Sequence, residues 1–270
     1  MSHPLLNIAV LFVLGALVFG LSLFVRRRWT RIEGVNTEPW SATLSYVATA
    51  YGVLVGFSIL LLFGKFADAR HAVGDEATAI GTAFEEAALF PDSAPGIQTA
   101  LVCYAESVVD VEWTAMRADG SAPEVDSAFA DLVQALGHND HPATGALHAA
   151  TATNLASQVG AISTARETRL VAAEAELPTM LWILLIGGGM FVVVLIFVVT
   201  MGARPATQAG LVVTAAVFTV MMLLLVAALS TPFADGPGRV TPRLIAETTA
   251  TMRASPNAAA LGACPSTAQG

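Results

Sequence analysis

Residues 179–229 read TMLWILLIGGGMFVVVLIFVVTMGARPATQAGLVVTAAVFTVMMLLLVAAL, and Arg204 is the only charge in the stretch. The uncharged runs 179–201 and 209–229 each reach the roughly 20 residues that a helix needs to cross a hydrocarbon core. Gly202 to Ala206 between them suffice for a tight helical hairpin, and Pro178 stands where a proline suits a first helical turn. Outward from this pair, 44–64 is a second span, closed by Lys65, and 5–25 is a first, closed by Arg26-Arg27-Arg28. A signal peptide carries its positive charge ahead of the apolar run and a small-residue cleavage site behind it. Here the charge follows the run, so 5–25 reads as a retained helix. The chain as a whole is 55% hydrophobic and only 13% charged, with a mean hydropathy of +0.66. Soluble domains run nearer a quarter charged, and the four uncharged runs account for the deficit.

The intervening segment 67–178 is different in kind. It holds 17 of the 21 acidic residues against Arg70, Arg117, Arg166 and Arg169, yet its apolar residues recur at helical spacing. Phe66, Ala69, Val73, Ala77, Ile80, Phe84 and Ala87 carry the second span onward as an amphipathic helix, which Pro91 and Pro95-Gly96 break. Ile97, Leu101, Tyr104, Val108, Val111 and Ala115 then alternate by four and three, as in a coiled-coil seam. Beyond Asp119-Gly120, Val125, Phe129, Leu132 and Leu136 give a shorter helix. Leu155, Val159, Ile162, Arg166, Leu170, Ala173 and Leu177 give a long one that feeds span three.

The expected fold is therefore an all-α integral membrane protein with four transmembrane helices and a helical bundle domain inserted between spans two and three. Its parts are a transmembrane hairpin (1–66), the acidic bundle (67–178), a second hairpin (179–230), and a short helix with a flexible tail (231–270). Thr241-Pro242 reads as the start of that short helix, which runs to about Met252.

Basic residues in short loops set orientation. Arg26, Arg27, Arg28 and Arg31 lie in one loop and Arg204 in the other loop on the same side, which is taken as cytoplasmic. The helical domain and both termini then face outward from the cell membrane, although Lys65, Arg70, Arg166, Arg169, Arg239 and Arg243 flank the opposite side.

A net charge of −8 and a pI near 5.0 argue against nucleic acid, which needs a basic face. Phosphate-loop, nucleophile-elbow and cysteine-pair signatures are missing, so neither an enzyme nor a cofactor is expected. The expected partners are the lipid bilayer, further copies of the chain and ions. No span carries an ionisable side chain in its interior, which speaks against a proton-coupled pump.

Span two offers a smooth face: Ala48, Gly52 and Gly56 recur every four residues, with Ser45 and Thr49 alongside. Such a face lets another helix approach closely, or lines a narrow conduit. Arg166 lies on the apolar stripe of the long helix, with Arg169 near it, and a buried guanidinium needs a carboxylate. Asp68, Asp75 and Glu76 on the opposing helix are the natural partners, either in structural ion pairs or at a vestibule. His138-Asn139-Asp140-His141, with His148 beyond, reads as a polar turn rather than a metal site. Cys103 and Cys264 fall on one side of the membrane in any four-span topology, and facing outward they are candidates for a disulfide.

Three stretches together resemble the bacterial bestrophin-like membrane proteins. They are Tyr51-Gly52-Val53-Leu54-Val55-Gly56-Phe57 running on to Glu76-Ala77; Arg166-x-x-Arg169-Leu170 followed by Leu177-Pro178 and Leu181-Trp182; and Leu229-Ser230-Thr231-Pro232-Phe233 with Gly236 and Val240-Thr241-Pro242. Similar proteins usually carry an Asp where this chain has Ser230. The resemblance covers about 44–245 and implies a membrane location and four spans. The family label implies an oligomeric anion channel with its large domain in the cytosol, which opposes the orientation read from the arginines. Two functions follow. One is an oligomeric ion-channel-like protein built around span two; the other is a non-conducting scaffold or sensor whose helical domain binds a partner.

Overall fold

A computed structural model describes residues 38–90, 92–117, 120–137, 146–174, 177–234, 239–256 and 261–264, together with Val18, Gly20, Phe24 and Arg26. These four are helical; the rest of the expected span 5–25 lies outside the described residues, as do Pro91, Asp119 and the turn 138–141. The described elements are helices: α1 (Glu38–Ala87), α2 (Ala94–Ser107), a π-helical turn (Val108–Glu112), α3 (Trp113–Met116), α4 (Pro123–Gly137), α5 (Ala146–Glu174), α6 (Thr179–Val199), a 3-10 turn (Thr200–Gly202), α7 (Pro205–Ser230) and α8 (Arg243–Arg253). Three stretches, Glu38–Ala87, Thr179–Gly202 and Pro205–Ser230, are long and apolar enough to cross a membrane.

The chain divides into two compact units. The first comprises Met1–Gly64, Glu176–Thr231 and Asp235–Gly238; the second comprises Lys65–Ala175, Pro232–Ala234 and Arg239–Gly270. Helix α1 contributes its residues through Gly64 to the first and the remainder to the second.

In the first unit, Val55, Leu62, Leu185 and Val226 form a small buried core. Close approach comes from the glycines of α6. A Cβ on Gly188 would lie 2.8 Å from the Tyr51 ring, and one on Gly189 would lie 2.5 Å from Thr219 Cγ2 and 2.7 Å from the Tyr51 hydroxyl. Only glycine lets the tyrosine ring and α7 come this near. The outer faces stay apolar, with Tyr46, Leu61, Met180, Ile183, Met190 and Phe218 all exposed. An apolar surface this extensive suits a bilayer rather than water. The hairpin is tighter than expected, since Pro205 opens α7 at its first turn. The Gln208 amide donates to the Arg204 carbonyl oxygen at 2.9 Å.

In the second unit the amphipathic part of α1 packs Ala69, Val73, Ile80, Ala83, Phe84 and Ala87 inward. Pro95 does not break a helix; it sits in the first turn of α2, and the Gln98 side chain ties α2 back to the Phe84 carbonyl at 3.0 Å. Ile97, Leu101, Tyr104 and Val108 are fully buried, as the seam predicts. Past Val108 the seam fails. The Trp113 amide bonds back to the Val108 carbonyl, the i to i−5 spacing of a π turn, and the extra residue advances the inward face by one position. Glu112, Trp113 and Met116 are buried, while Val111 and Ala115 are only half-buried.

The C-terminal helix belongs to this core as well. Ile245, Thr249 and Met252 are buried, and a Cβ on Gly81 would lie 3.4 Å from Thr248 Cγ2. Helix α8 starts at Arg243 with Pro242 as its cap, one residue later than Thr241-Pro242 suggests. The tail is not free throughout: Leu261 packs against the core and the Gly262 amide donates to Thr99 Oγ1 at 3.0 Å.

Candidate functional site

The densest polar arrangement lies inside the second unit. Arg169 on α5 is fully buried. Its Nε and Nη2 donate to the two oxygens of Glu76 on α1 at 2.8 and 3.1 Å, and Nη2 also donates to Glu112 Oε2 at 2.6 Å. Nη1 points at the Met116 sulfur, and the guanidinium lies 5.2 Å from the centroid of the Trp113 ring. Tyr104 donates its hydroxyl to Glu76 Oε1 at 2.7 Å and meets Phe129 edge-on. Arg166, one helical turn earlier, donates from Nε to Glu112 Oε1 at 2.9 Å and from Nη2 to Asp126 at 2.7 Å.

Two guanidinium groups thus meet two fully buried carboxylates, with the exposed Asp126 at the rim. Burial alone would push the Arg169 guanidinium toward neutrality, but Glu76 and Glu112 outweigh it and hold its pKa above the ordinary value. Burial likewise opposes the charge of Arg166, and hydrogen bonding to Glu112 reverses the balance. Burial raises the Tyr104 pKa well above that of a free phenol, and the adjoining Glu76 charge raises it further. A buried pair of this kind survives only when its remaining hydrogen-bonding positions are met, and here each charge is answered. The arrangement is a closed structural brace, with no free group aimed at a ligand.

The expected partners of the two arginines divide. Glu76 pairs with Arg169, whereas Arg166 turns to Glu112 and Asp126. Asp68 and Asp75 are exposed and pair with neither arginine. Glu112 escapes sequence reading because the heptad spacing places Val111, not Glu112, on the seam.

On α1, Ser45, Thr49, Gly52 and Gly56 are exposed and Ala48 is half-buried. A Cβ added at Gly52 or Gly56 would meet nothing within 4 Å. Among the described residues no helix covers these glycines, whereas Gly188 and Gly189 meet Tyr51 and Thr219 closely. The Thr49 hydroxyl donates to the Ser45 carbonyl at 2.8 Å, which leaves its lone pairs outward.

Cys103 and Cys264 are joined as a disulfide with their Cα atoms 5.2 Å apart, a separation typical of such bridges. Both line an open cleft of about 690 Å³ beside α2 and α4. His148 stacks near Phe90 at 4.5 Å, and among the described residues no three His, Cys, Asp or Glu side chains are placed to hold a metal ion.

A family model for the bestrophin-like domain matches residues 7–243. The chain belongs to the bestrophin-like family. Solved structures agree on the fold. A single-residue variant of a bacterial bestrophin homologue from Klebsiella pneumoniae superposes with a TM-score of 0.74 at 13% identity, covering 92% of this chain and 98% of that one. The zinc-phased structure of a Klebsiella pneumoniae homologue gives 0.73 at 12%, covering 92% and 97%. Comparison with curated protein sequences yields no match. The family and its apolar helices make this bestrophin-like chain a membrane protein. The third quoted stretch has a physical role in it. Phe233 is buried edge-on to Trp113, beside the ionic brace, and the Val240 amide donates to the Pro232 carbonyl at 2.8 Å.

Proposed function

We propose that this bestrophin-like protein is one subunit of an oligomeric, ion-conducting membrane protein with spans at 5–25, 44–64, 179–201 and 209–229. In this reading the helical domain 67–178 is inserted between the second and third spans, and the protein is a conduit rather than an enzyme. The observation that carries it is the face of α1 formed by Ser45, Thr49, Gly52 and Gly56, which is exposed and stays uncovered among the described residues. Small residues at four-residue spacing invite a second backbone to come close. Outward lone pairs and backbone dipoles are groups from which a filter without charged side chains can be built. Because the buried arginines and carboxylates are spent on one another, they supply no mobile charge for a proton relay.

The helical domain and both termini face outward in this proposal, with Arg26, Arg27, Arg28, Arg31 and Arg204 inside. The Cys103–Cys264 pairing supports it, because disulfides persist in oxidising compartments. Gly56→Leu tests the carrying observation. Among the described residues nothing lies within 4 Å of a Cβ at this position, and the expected result is loss of oligomer mass in detergent or of ion flux with native helicity. Unchanged assembly together with unchanged flux would show that this face meets lipid. An intact oligomer without flux, for the wild type, is the outcome of the non-conducting scaffold or sensor.

A further inference from the structure

The Cys103–Cys264 bond does not sit in the core. Both cysteines are half-buried, and both border the open cleft beside α2 and α4. A small reagent entering the cleft therefore reaches the sulfurs directly. The two ends of the bond are held very differently. Cys103 rides on α2, whose Ile97, Leu101 and Tyr104 are fully buried. Cys264 ends the stretch Leu261–Cys264, in which Gly262 and Ala263 are exposed. Among the described residues that stretch is tied by the partial packing of Leu261, by the bond from the Gly262 amide to Thr99, and by contacts of the Cys264 sulfur itself with Arg253 Nη2 at 3.6 Å and Glu106 Oε2 at 3.3 Å. The Arg253–Glu106 pair holds the end of α8 and meets this stretch at the bridge sulfur of Cys264. The sulfur bridge thus joins a firmly packed helix to a thinly held segment, 161 residues apart in sequence.

We infer that the bridge is a thiol-sensitive latch which keeps Leu261–Cys264 seated on α2 as one wall of the cleft. A dithiol opens it. One thiolate of the reductant attacks a bridge sulfur and forms a mixed disulfide, and the other cysteine leaves as a thiolate that takes up a proton. The second thiolate of the reductant then resolves the mixed disulfide and expels the remaining cysteine, which is protonated in turn. Two electrons pass to the cysteine pair, and the reductant ends as its own disulfide. Leu261–Cys264 then leaves α2, and the cleft opens on that side to uncover Thr99 and Glu106. The inference stands whether or not the protein conducts ions.

The test is hydrogen exchange on the full-length protein in detergent, before and after excess dithiothreitol, with reduction verified by mass. Exchange in the peptide containing 261–264 should speed up by about tenfold or more, as expected of a segment held locally by few bonds. Helicity and the exchange of α2 and α5 should stay native, and a Cys103→Ser, Cys264→Ser double variant should match the reduced protein without reductant. Three results would overturn the latch. They are unchanged protection of 261–264 after verified reduction, a bridge that resists dithiothreitol in the folded protein, or loss of the whole bundle together with the bridge.

Discussion

Replacing Arg169 by Met removes the one cation that lies between Glu76 and Glu112. The thioether fills much of the same volume, so the cost is mainly electrostatic. Glu76 keeps only the Tyr104 hydroxyl, and Glu112 keeps only Arg166. Breaking a buried pair by deleting one member costs about 3–5 kcal/mol, because the surviving charge stays buried and unanswered. Loss of the contact with the Trp113 face adds to this. For a unit of this size each kcal/mol moves Tm by about 2–4 °C, so a fall of about 10 °C is expected. Trp113, which lies under the guanidinium, is one of four tryptophans contributing to the intrinsic fluorescence that follows the melt. The melts should be compared at one scan rate, since unfolding in detergent is commonly irreversible. Pairing Arg169→Met with Glu76→Gln removes one of the stranded charges and should recover about 1–2 kcal/mol of the loss, read as coupling in a double-mutant cycle. A single variant that melts within about 2 °C of wild type, or a double variant that shows no coupling, would refute the closed brace.

Three further outcomes follow from the same geometry. Gly189→Leu should lower detergent stability sharply, because even its Cβ would fall 2.5 Å from Thr219 and 2.7 Å from the Tyr51 hydroxyl; a normal melting curve would mean that α6 and α7 do not meet there. Tyr104 has a folded-state pKa raised by burial, so its contribution is complete below the phenol's ordinary value of about 10 and is lost as pH rises through the folded value. Alkaline unfolding should therefore steepen above about pH 10, and Tyr104→Phe should flatten that limb at a neutral-pH cost of about 1 kcal/mol. A periplasm-active reporter fused after Ala118 should be active and one fused after Arg204 inactive; the reverse would place the helical domain in the cytosol.

The spans are the most legible part of the sequence, because a bilayer imposes both length and the exclusion of charge. The runs 179–201 and 209–229 fall within Thr179–Gly202 and Pro205–Ser230. The continuation of span two through Ala87 is equally legible, since its apolar residues keep a helical period with no proline before Pro91. Periodicity fails at Val108–Glu112, where one extra residue in a π turn turns a seemingly exposed Glu112 inward. Such a turn leaves no mark in composition, and with it goes any chance of pairing Arg166 correctly. The glycines show the same dependence on distant contacts. Gly52 and Gly56 have the spacing of a packing face and meet nothing within 4 Å among the described residues, whereas Gly188 and Gly189 are fixed by side chains distant in sequence, Tyr51 and Thr219. The seat of Leu261 and Gly262 on the core also depends on contacts remote in sequence, which an Ala-, Pro- and Ser-rich tail does not advertise.

Ion flux is the most direct measurement. The wild-type protein, purified in detergent and sized for its oligomer, is reconstituted into liposomes loaded with an ion-sensitive dye. The uncovered α1 face predicts an oligomer and a flux above that of empty vesicles, reduced by Gly56→Leu. A clean monomer with no flux would contradict the conducting assembly.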